Sequence, residues 1–585
     1  MLMGDVKIRI AGANGDGIES TGALLIKLGA RSGLHVFGYR GYQSIIRGGH
    51  VWYQIRMSDT AIESYGDGID VLVAITQDCV TNQAEHLNNG AVVIYDPRSV
   101  KVDTLGTKYR LLPVPLLELA VQVSGGEPIL RNIVGIGVIL KLLGMRLEDF
   151  EPVLRSQFGR KGDAVVANNM KAASLGFNYQ GLTGMFELKG DGKRRRVLDG
   201  NTALAIGAYA AGCKLYAGYP MTPASSILQW FAAHEDVGVL AKQTEDELTA
   251  INTAIGGSVA GVRSMCGTSG GGFSLMVEAL GFAGMIEAPL VVVLSQRTGP
   301  STGLPTKTEQ ADLLFAMHAS QGEFPRIVLA PRSVDECFYM TVEAFNLADR
   351  YQCPVIIMLD LFMSEHMESV DDLDLSRIVV DRGKMVESTS GAQLENGRFK
   401  RYAYTEDGIS PRAMPGTVGL EHIAPSDEHN EFGDLVSDAL SGIGPHIVTR
   451  VKMHSKRMRK LETMLATEKV FAPSVDNPGA KYFLVCWGSS TLAVREAAKA
   501  LNAAGGSFGV ISFSHLMPLS REAVEAELRG RKLIDVECNY TAQLAQVIMM
   551  NSGIEIKERI LKYDGEALTP RDVVVGALAA AARLG

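Results

Sequence analysis

Short apolar runs recur along this chain. Each gives way to a glycine-rich turn and then to apolar residues at helical spacing. The first instance, VKIRIAGANGDGIESTGALLIKLGARSG from Val6, predicts a strand, a tight turn and an amphipathic helix. DVLVAIT (70–76) and GAVVIYD (90–96) read as further strands, and 130–143 as a helix. The pattern resumes at 201–363, where APLVVVLSQR (288–297), FPRIVLAP (324–331) and PVIIMLD (354–360) are strands between helices rich in small residues, such as AIGAYAAG. From 364 to 473 the periodicity stops, which predicts an irregular connecting segment or a partner-wrapping arm. KYFLVCWGSSTLAVREAAKALNAAG and FGVISFSHL then return to strand–helix–strand order. The reading is an α/β multidomain protein with parallel sheets. Its expected domains are 1–190, 195–370, an irregular segment 371–475, and 476–585, with the polar stretch KGDGKRRRVLDGN (189–201) as the first boundary.

Composition narrows the function. Of 585 residues, 46% are hydrophobic and 21% charged, as in large packed domains. A formal charge of −8 offers no basic face to nucleic acid. No run reaches the ~18 apolar residues of a membrane span, and the N-terminus passes directly into a strand, so a cytoplasmic protein is expected. The seven cysteines form no C-x-x-C pair, which predicts small buried residues rather than a cluster, zinc site or disulfide framework in this chain.

Candidate chemistry gathers in the second domain. AGYPMTPAS (217–225) presents the Thr222 hydroxyl at a helix start, although Pro223 also suits a first helical turn for purely structural reasons. In QTEDELTAINTAIGG, three acids, Glu245, Asp246 and Glu247, open a helix, where the helix dipole alone would favour them. TSGGG (268–272) is a glycine turn open to close approach, without the lysine of a P-loop. In SQRTGPSTGLPT (295–306), Arg297 and Thr306 follow a buried-looking strand, where open α/β sheets place active sites. Arg297 could hold a carboxylate with two parallel hydrogen bonds, or equally well pair with a structural one. ISPRAMPG (409–416) and GLEH (419–422) are distinctive but suggest no chemistry by spacing. The glycines at 12, 15 and 17 run G-x-x-G-x-G, not the dinucleotide order G-x-G-x-x-G. They read as a structural crossing or a docking surface for another ligand.

Taken in order, YPMTPAS, the E-D-E helix, TSGGGFSLM, QRTGPSTGLPT and ISPRAMPG resemble the α subunit of 2-oxoacid:ferredoxin oxidoreductases, closest to the 2-oxoglutarate branch. The first block, with its glycine loop and the RGG at 47–49, resembles that family's γ subunit fused ahead of α. The last block resembles a transketolase-C-type domain. The resemblance covers nearly the whole chain. It implies a pyrimidine-side half-site for thiamine diphosphate, shared with a β subunit that carries Mg2+, the cofactor's diphosphate and a 4Fe-4S cluster. It further implies ferredoxin as electron carrier, coenzyme A as co-substrate and an (αβ)2 assembly. Glu247, nine positions before Gly256, takes the role of the glutamate at the pyrimidine nitrogen, with Glu245 as runner-up. Thr222, Arg297 and Thr306 take the substrate contacts, and Tyr219, Pro220, Thr268, Ser269 and Gly270 line the cofactor. The implied reaction is oxidative decarboxylation of 2-oxoglutarate to succinyl-CoA, reversible toward CO2 fixation, or the same chemistry on pyruvate or another 2-oxoacid. Three copies of GDG occur without the downstream asparagine of a diphosphate site, as expected of a half-site, and SQGEFP (320–325) lacks the histidine found in many relatives. A nicotinamide dehydrogenase using the N-terminal sheet and a non-catalytic scaffold that kept the motifs are the competing readings.

Overall fold

The computed structural model describes residues 2–45, 48–125, 130–436 and 445–585, so Arg47 of the RGG element lies outside the described residues. The chain forms two compact units. The first comprises Met1–Asp199 with Glu365–Leu373 and Thr569–Arg571; the second comprises Gly200–Ser364, Asp374–Leu568 and Asp572–Gly585.

The first unit is built on an eight-stranded sheet, ordered Arg110–Pro113, Leu87–Tyr95, Ile69–Ala74, Asp5–Asn14, Gly48–Ser58, His35–Gly41, Met367–Val370 and Arg196–Asp199. The expected parallel sheet is corrected here to a mixed one, because Gly48–Ser58 runs antiparallel to both of its neighbours. The signal for that strand was present. Val51, Tyr53, Ile55 and Met57 alternate in sequence, and all four are buried. Helices Ile18–Arg31, Arg131–Leu142 and Asp163–Phe177 pack around one apolar core with the sheet. The glycine loop is closed by its own chain: Asp16 accepts from Ala13 N at 2.9 Å and pairs with Arg131 at 2.6 Å.

The second unit carries two large sheets, besides two short two-stranded pairs. The larger orders Leu240–Gln243, Cys213–Gly218, Arg263–Thr268, Leu290–Gln296, Pro354–Asp360, Ile327–Leu329 and His515–Met517. All of its strands are parallel except the last, which comes from the C-terminal block. The smaller orders Ser474–Asp476, Phe508–Phe513, Tyr482–Trp487, Lys532–Glu537 and Glu558–Leu561. One core is shared between them, with Phe273, Leu290 and Val292 from one side and Trp487, Phe513 and Ile548 from the other. All seven cysteines are buried and free. Among the described residues, no helix is long and apolar enough to cross a membrane.

The segment expected to be irregular, 371–475, contains a 23-residue helix, Pro445–Thr467. Its buried positions are Met453, Lys456, Arg457, Lys460 and Met464. They recur at helical spacing, but the central ones are cationic, so a search for apolar periodicity passes over them.

Candidate active site

Four parallel strands of the larger sheet end together. Gly218, Thr268, Gln296 and Asp360 are their last residues, and Gln296 is directly paired with Asp360. The loops that leave this edge carry Tyr219, Ser269 and Arg297, so the three motifs are gathered by strand register.

The three acids of the E-D-E run separate cleanly. Asp246 is the N-cap of helix Glu247–Val259, in extended backbone, accepting from Thr249 N at 2.8 Å. That backbone N–H holds its carboxyl below the usual carboxylate range. Glu245 is exposed. Glu247, one step inside the cap, is 3% exposed, and its Oε1 meets no hydrogen-bond partner. A carboxylate oxygen buried without a donor is costly, so the arrangement is unfavourable for the isolated fold.

Glu247 faces the TSGGG turn. Thr268 closes its strand, fully buried; Ser269 is the N-cap of helix Gly270–Met285, also fully buried, with an unpartnered Oγ. A Cβ on Gly272 would fall on Thr268 Oγ1 and 2.5 Å from Glu247 Oε1, so only glycine admits both side chains here. Asp312, the N-cap of Leu313–His318, lies against the same turn, where a Cβ on Gly270 would come 2.6 Å from its Oδ2. Burial pushes the Asp312 carboxyl up to about 6. Its backbone N–H is held by Gln296 Oε1 at 3.0 Å, the residue before Arg297. Asp312 was not singled out from the sequence; the signal was an acid at a helix start six residues past Thr306.

Arg297 and Thr222 meet, since Arg297 Nη1 donates to Thr222 O at 3.0 Å. Both are half-buried, as is Thr306. The loop from Arg297 to Thr306 closes on itself: Thr298 N donates to Lys307 O at 3.0 Å, and Leu304 N to Thr298 O at 3.1 Å. These bonds set the two arms that carry Arg297 and Thr306 side by side. Tyr219 and Pro220 are exposed, and Leu248, Leu275 and Leu304 lie exposed on the elements leaving the same edge. ISPRAMPG has a structural role instead. Its Arg412, buried, donates to Asp349 Oδ1 at 2.5 Å, and Arg263 and Arg382 each reach Asp349 Oδ2 at 2.8 Å.

The donor set suits the pyrimidine side of thiamine diphosphate. It offers an orphaned buried carboxyl oxygen, an orphaned hydroxyl and a turn bare of side chains, beside a loop bearing an arginine.

Residues 206–430 match the family described as "Pyruvate flavodoxin/ferredoxin oxidoreductase, thiamine diP-bdg", and residues 7–179 match "Pyruvate ferredoxin/flavodoxin oxidoreductase". The 2-oxoacid:ferredoxin oxidoreductase subunit alpha of Sulfolobus sp is 33% identical, over 95% of this chain and 94% of its own length. The 2-oxoglutarate oxidoreductase subunit KorA of Mycobacterium tuberculosis is 31% identical, over 93% and 87%. The solved 2-oxoglutarate:ferredoxin oxidoreductase from Magnetococcus marinus, with 2-oxoglutarate, coenzyme A and succinyl-CoA bound, matches with a TM-score of 0.90 at 31% identity, covering 99% of both chains. The chain is therefore an oxidoreductase subunit with a thiamine diphosphate-binding domain, and it belongs to the α subunits of the 2-oxoacid:ferredoxin oxidoreductases.

Proposed function

We propose that this chain supplies the substrate side of a split active site for the CoA-dependent oxidative decarboxylation of 2-oxoglutarate, completed by a β subunit. The observation that carries the reading is Glu247, a carboxyl buried with an unpartnered oxygen against the bare Gly270–Gly272 turn. A folded chain retains such a group when a ligand supplies its missing donor. Thiamine diphosphate, when bound, would supply a carbon nucleophile for the 2-oxo carbon. Glu247, buried with its Oε1 unpartnered, would hold the pyrimidine nitrogen and could pass it a proton.

Arg297 recognises the carboxylate next to the oxo group. Its bond to Thr222 O fixes the plane of the guanidinium, whose fork of donors suits a carboxylate, and Thr306 adds a hydroxyl from the opposite arm of the loop. Ser269 and Thr268 line the floor. Tyr219, Leu248, Leu275 and Leu304 form an apolar rim, each 40–50% exposed, and the β subunit covers it when it closes the crevice and excludes water. The Mg2+ and 4Fe-4S cluster belong to that subunit, electrons leave to ferredoxin, and two αβ units pair. 2-Oxoglutarate is the preferred substrate on the strength of the Magnetococcus and Mycobacterium relatives, whose names carry it. With low-potential ferredoxin the same site fixes CO2.

The test is anoxic viologen reduction by the chain co-expressed with its β partner, with coenzyme A and either 2-oxoglutarate or pyruvate. Activity in the complex alone, chiefly with 2-oxoglutarate, supports the proposal. Preference for pyruvate overturns the substrate, and turnover by the lone chain overturns the split site.

A further inference from the structure

Asp360 ends strand Pro354–Asp360 and is 2% exposed. Its Oδ1 accepts from Met363 N at 2.9 Å, an ordinary cap for the short helix Leu361–Glu365. Its Oδ2 does something a cap does not require. It accepts from Thr308 Oγ1 at 2.9 Å and from Ser489 Oγ at 2.7 Å, hydroxyls 52 and 129 positions away. Ser489 stands in the turn after Tyr482–Trp487, the central strand of the smaller sheet.

Thr308 is the residue on which the Arg297–Thr306 loop is anchored. Its carbonyl accepts from Thr298 Oγ1 at 3.1 Å, its hydroxyl accepts from Phe362 N at 3.2 Å, and its N–H donates to Gly565 O at 3.1 Å. Two residues on, Gln310 N donates to Cys538 O at 2.7 Å. The base of the loop is thus tied on one side to the strand carrying Asp360 and on the other to the C-terminal domain.

We propose that Asp360 is a positioning residue for the 2-oxoacid: through Thr308 and Ser489 it clamps the base of the Arg297–Thr306 loop to the C-terminal domain. The proposal rests on the reading of Arg297 and Thr306 as the carboxylate contacts. A planar, two-point grip tolerates little displacement, and a shift of about 1 Å at such a contact can cost on the order of 100-fold. The clamp also assigns the C-terminal domain a part in substrate recognition.

The experiment uses the αβ enzyme with Thr308→Val, Ser489→Ala, Thr308→Ser and Asp360→Asn, and with Arg297→Lys in parallel. KM for the 2-oxoacid, KM for coenzyme A, kcat and Tm are read for each. Thr308→Val keeps the shape and removes the hydroxyl. It is expected to raise KM for the 2-oxoacid about tenfold, on the scale of losing the hydroxyl's buried hydrogen bonds with Asp360 and Phe362, with KM for coenzyme A unchanged. Thr308→Ser restores it. Asp360→Asn keeps an acceptor and the helix cap and shows a smaller rise. Ser489→Ala shows the same selectivity, and combined with Thr308→Val it falls short of additive, because both act through one carboxylate. A fall in Tm with no change in KM for the 2-oxoacid, or an equal rise in both KM values, overturns the proposal and leaves Asp360 a helix cap. If Arg297→Lys also leaves KM for the 2-oxoacid unchanged, the carboxylate reading has failed and the clamp with it. An effect of Arg297→Lys alone overturns only the clamp.

Discussion

Glu247 and Glu287 are both glutamates of the second unit, 3% and 0% exposed, and they are buried in opposite ways. Glu287 sits between two lysines: Lys456 Nζ donates to its Oε1 at 2.6 Å, and Lys460 Nζ lies 2.6 Å from its Oε2 as an ion pair. Its backbone carbonyl takes Arg401 at 3.0 Å. Burial alone would raise its carboxyl, but the two lysines overcome burial and hold it well below the usual range. Glu247 has an oxygen with no donor at all. A buried acid matched by cations is accounted for by the fold itself. A buried acid left short of a partner points to something the folded chain is built to receive.

The comparison is sharpened most by Glu247→Gln. It is expected to lower kcat of the αβ enzyme by at least about 100-fold, on the scale of a lost acid–base group, while Tm stays at or above that of the unmodified chain. A loss of Tm with activity per folded molecule preserved would place Glu247 in the same class as Glu287.

Glu287→Gln should do the reverse. Leaving Lys456 and Lys460 buried against a neutral amide costs about 3–5 kcal/mol, measured by denaturant unfolding, with activity per folded molecule preserved. The pH dependence follows from the depressed carboxyl. Its contribution is complete above the ordinary value of 4.5 and is lost as pH falls toward the folded value, so the substituted chain loses less further stability on acidification.

Asp312 lies between these extremes. Its folded value of about 6 exceeds the ordinary 3.8, so the folded state holds the proton more tightly and stability declines as pH rises through that window. Asp312→Asn should therefore stabilise the chain by about 1–2 kcal/mol at pH 7, and the gain should vanish below about pH 4. The smallest effects belong to the neighbours of Glu247. Asp246→Ala removes a helix cap and lowers Tm by a few degrees, with turnover retained, and Glu245→Gln changes neither.

The strand-end motifs that the fold gathers at the candidate site were legible in the sequence, for reasons that can be named. Arg297 and Thr306 follow an unbroken apolar strand, and their motif is distinctive. The choice among Glu245, Asp246 and Glu247 was not open to composition or dipole arguments. It turns on which residue is the cap, and a shift of one position moves a side chain from solvent to core. Asp360 and Thr308 act through contacts far apart in sequence, which no local pattern reports. Helix Pro445–Thr467 escaped because its inward face is Lys456, Arg457 and Lys460 rather than leucine and valine, and its counter-charge, Glu287, lies 169 positions earlier. The mixed sheet escaped although the alternation of Val51, Tyr53, Ile55 and Met57 was there to be read.

Strand Met367–Val370 has a consequence for synthesis. It pairs with His35–Gly41 on one side and Arg196–Asp199 on the other, and so completes the first unit's sheet from a point 168 residues beyond Asp199. While the ribosome is making the intervening stretch, strand His35–Gly41 is a bare edge with unsatisfied backbone groups, open to pairing with a neighbouring nascent chain. The N-terminal unit is therefore the first to be translated, but its sheet is finished only once Val370 has been made. A gene split after residue 199 would require the second product to supply that strand in trans.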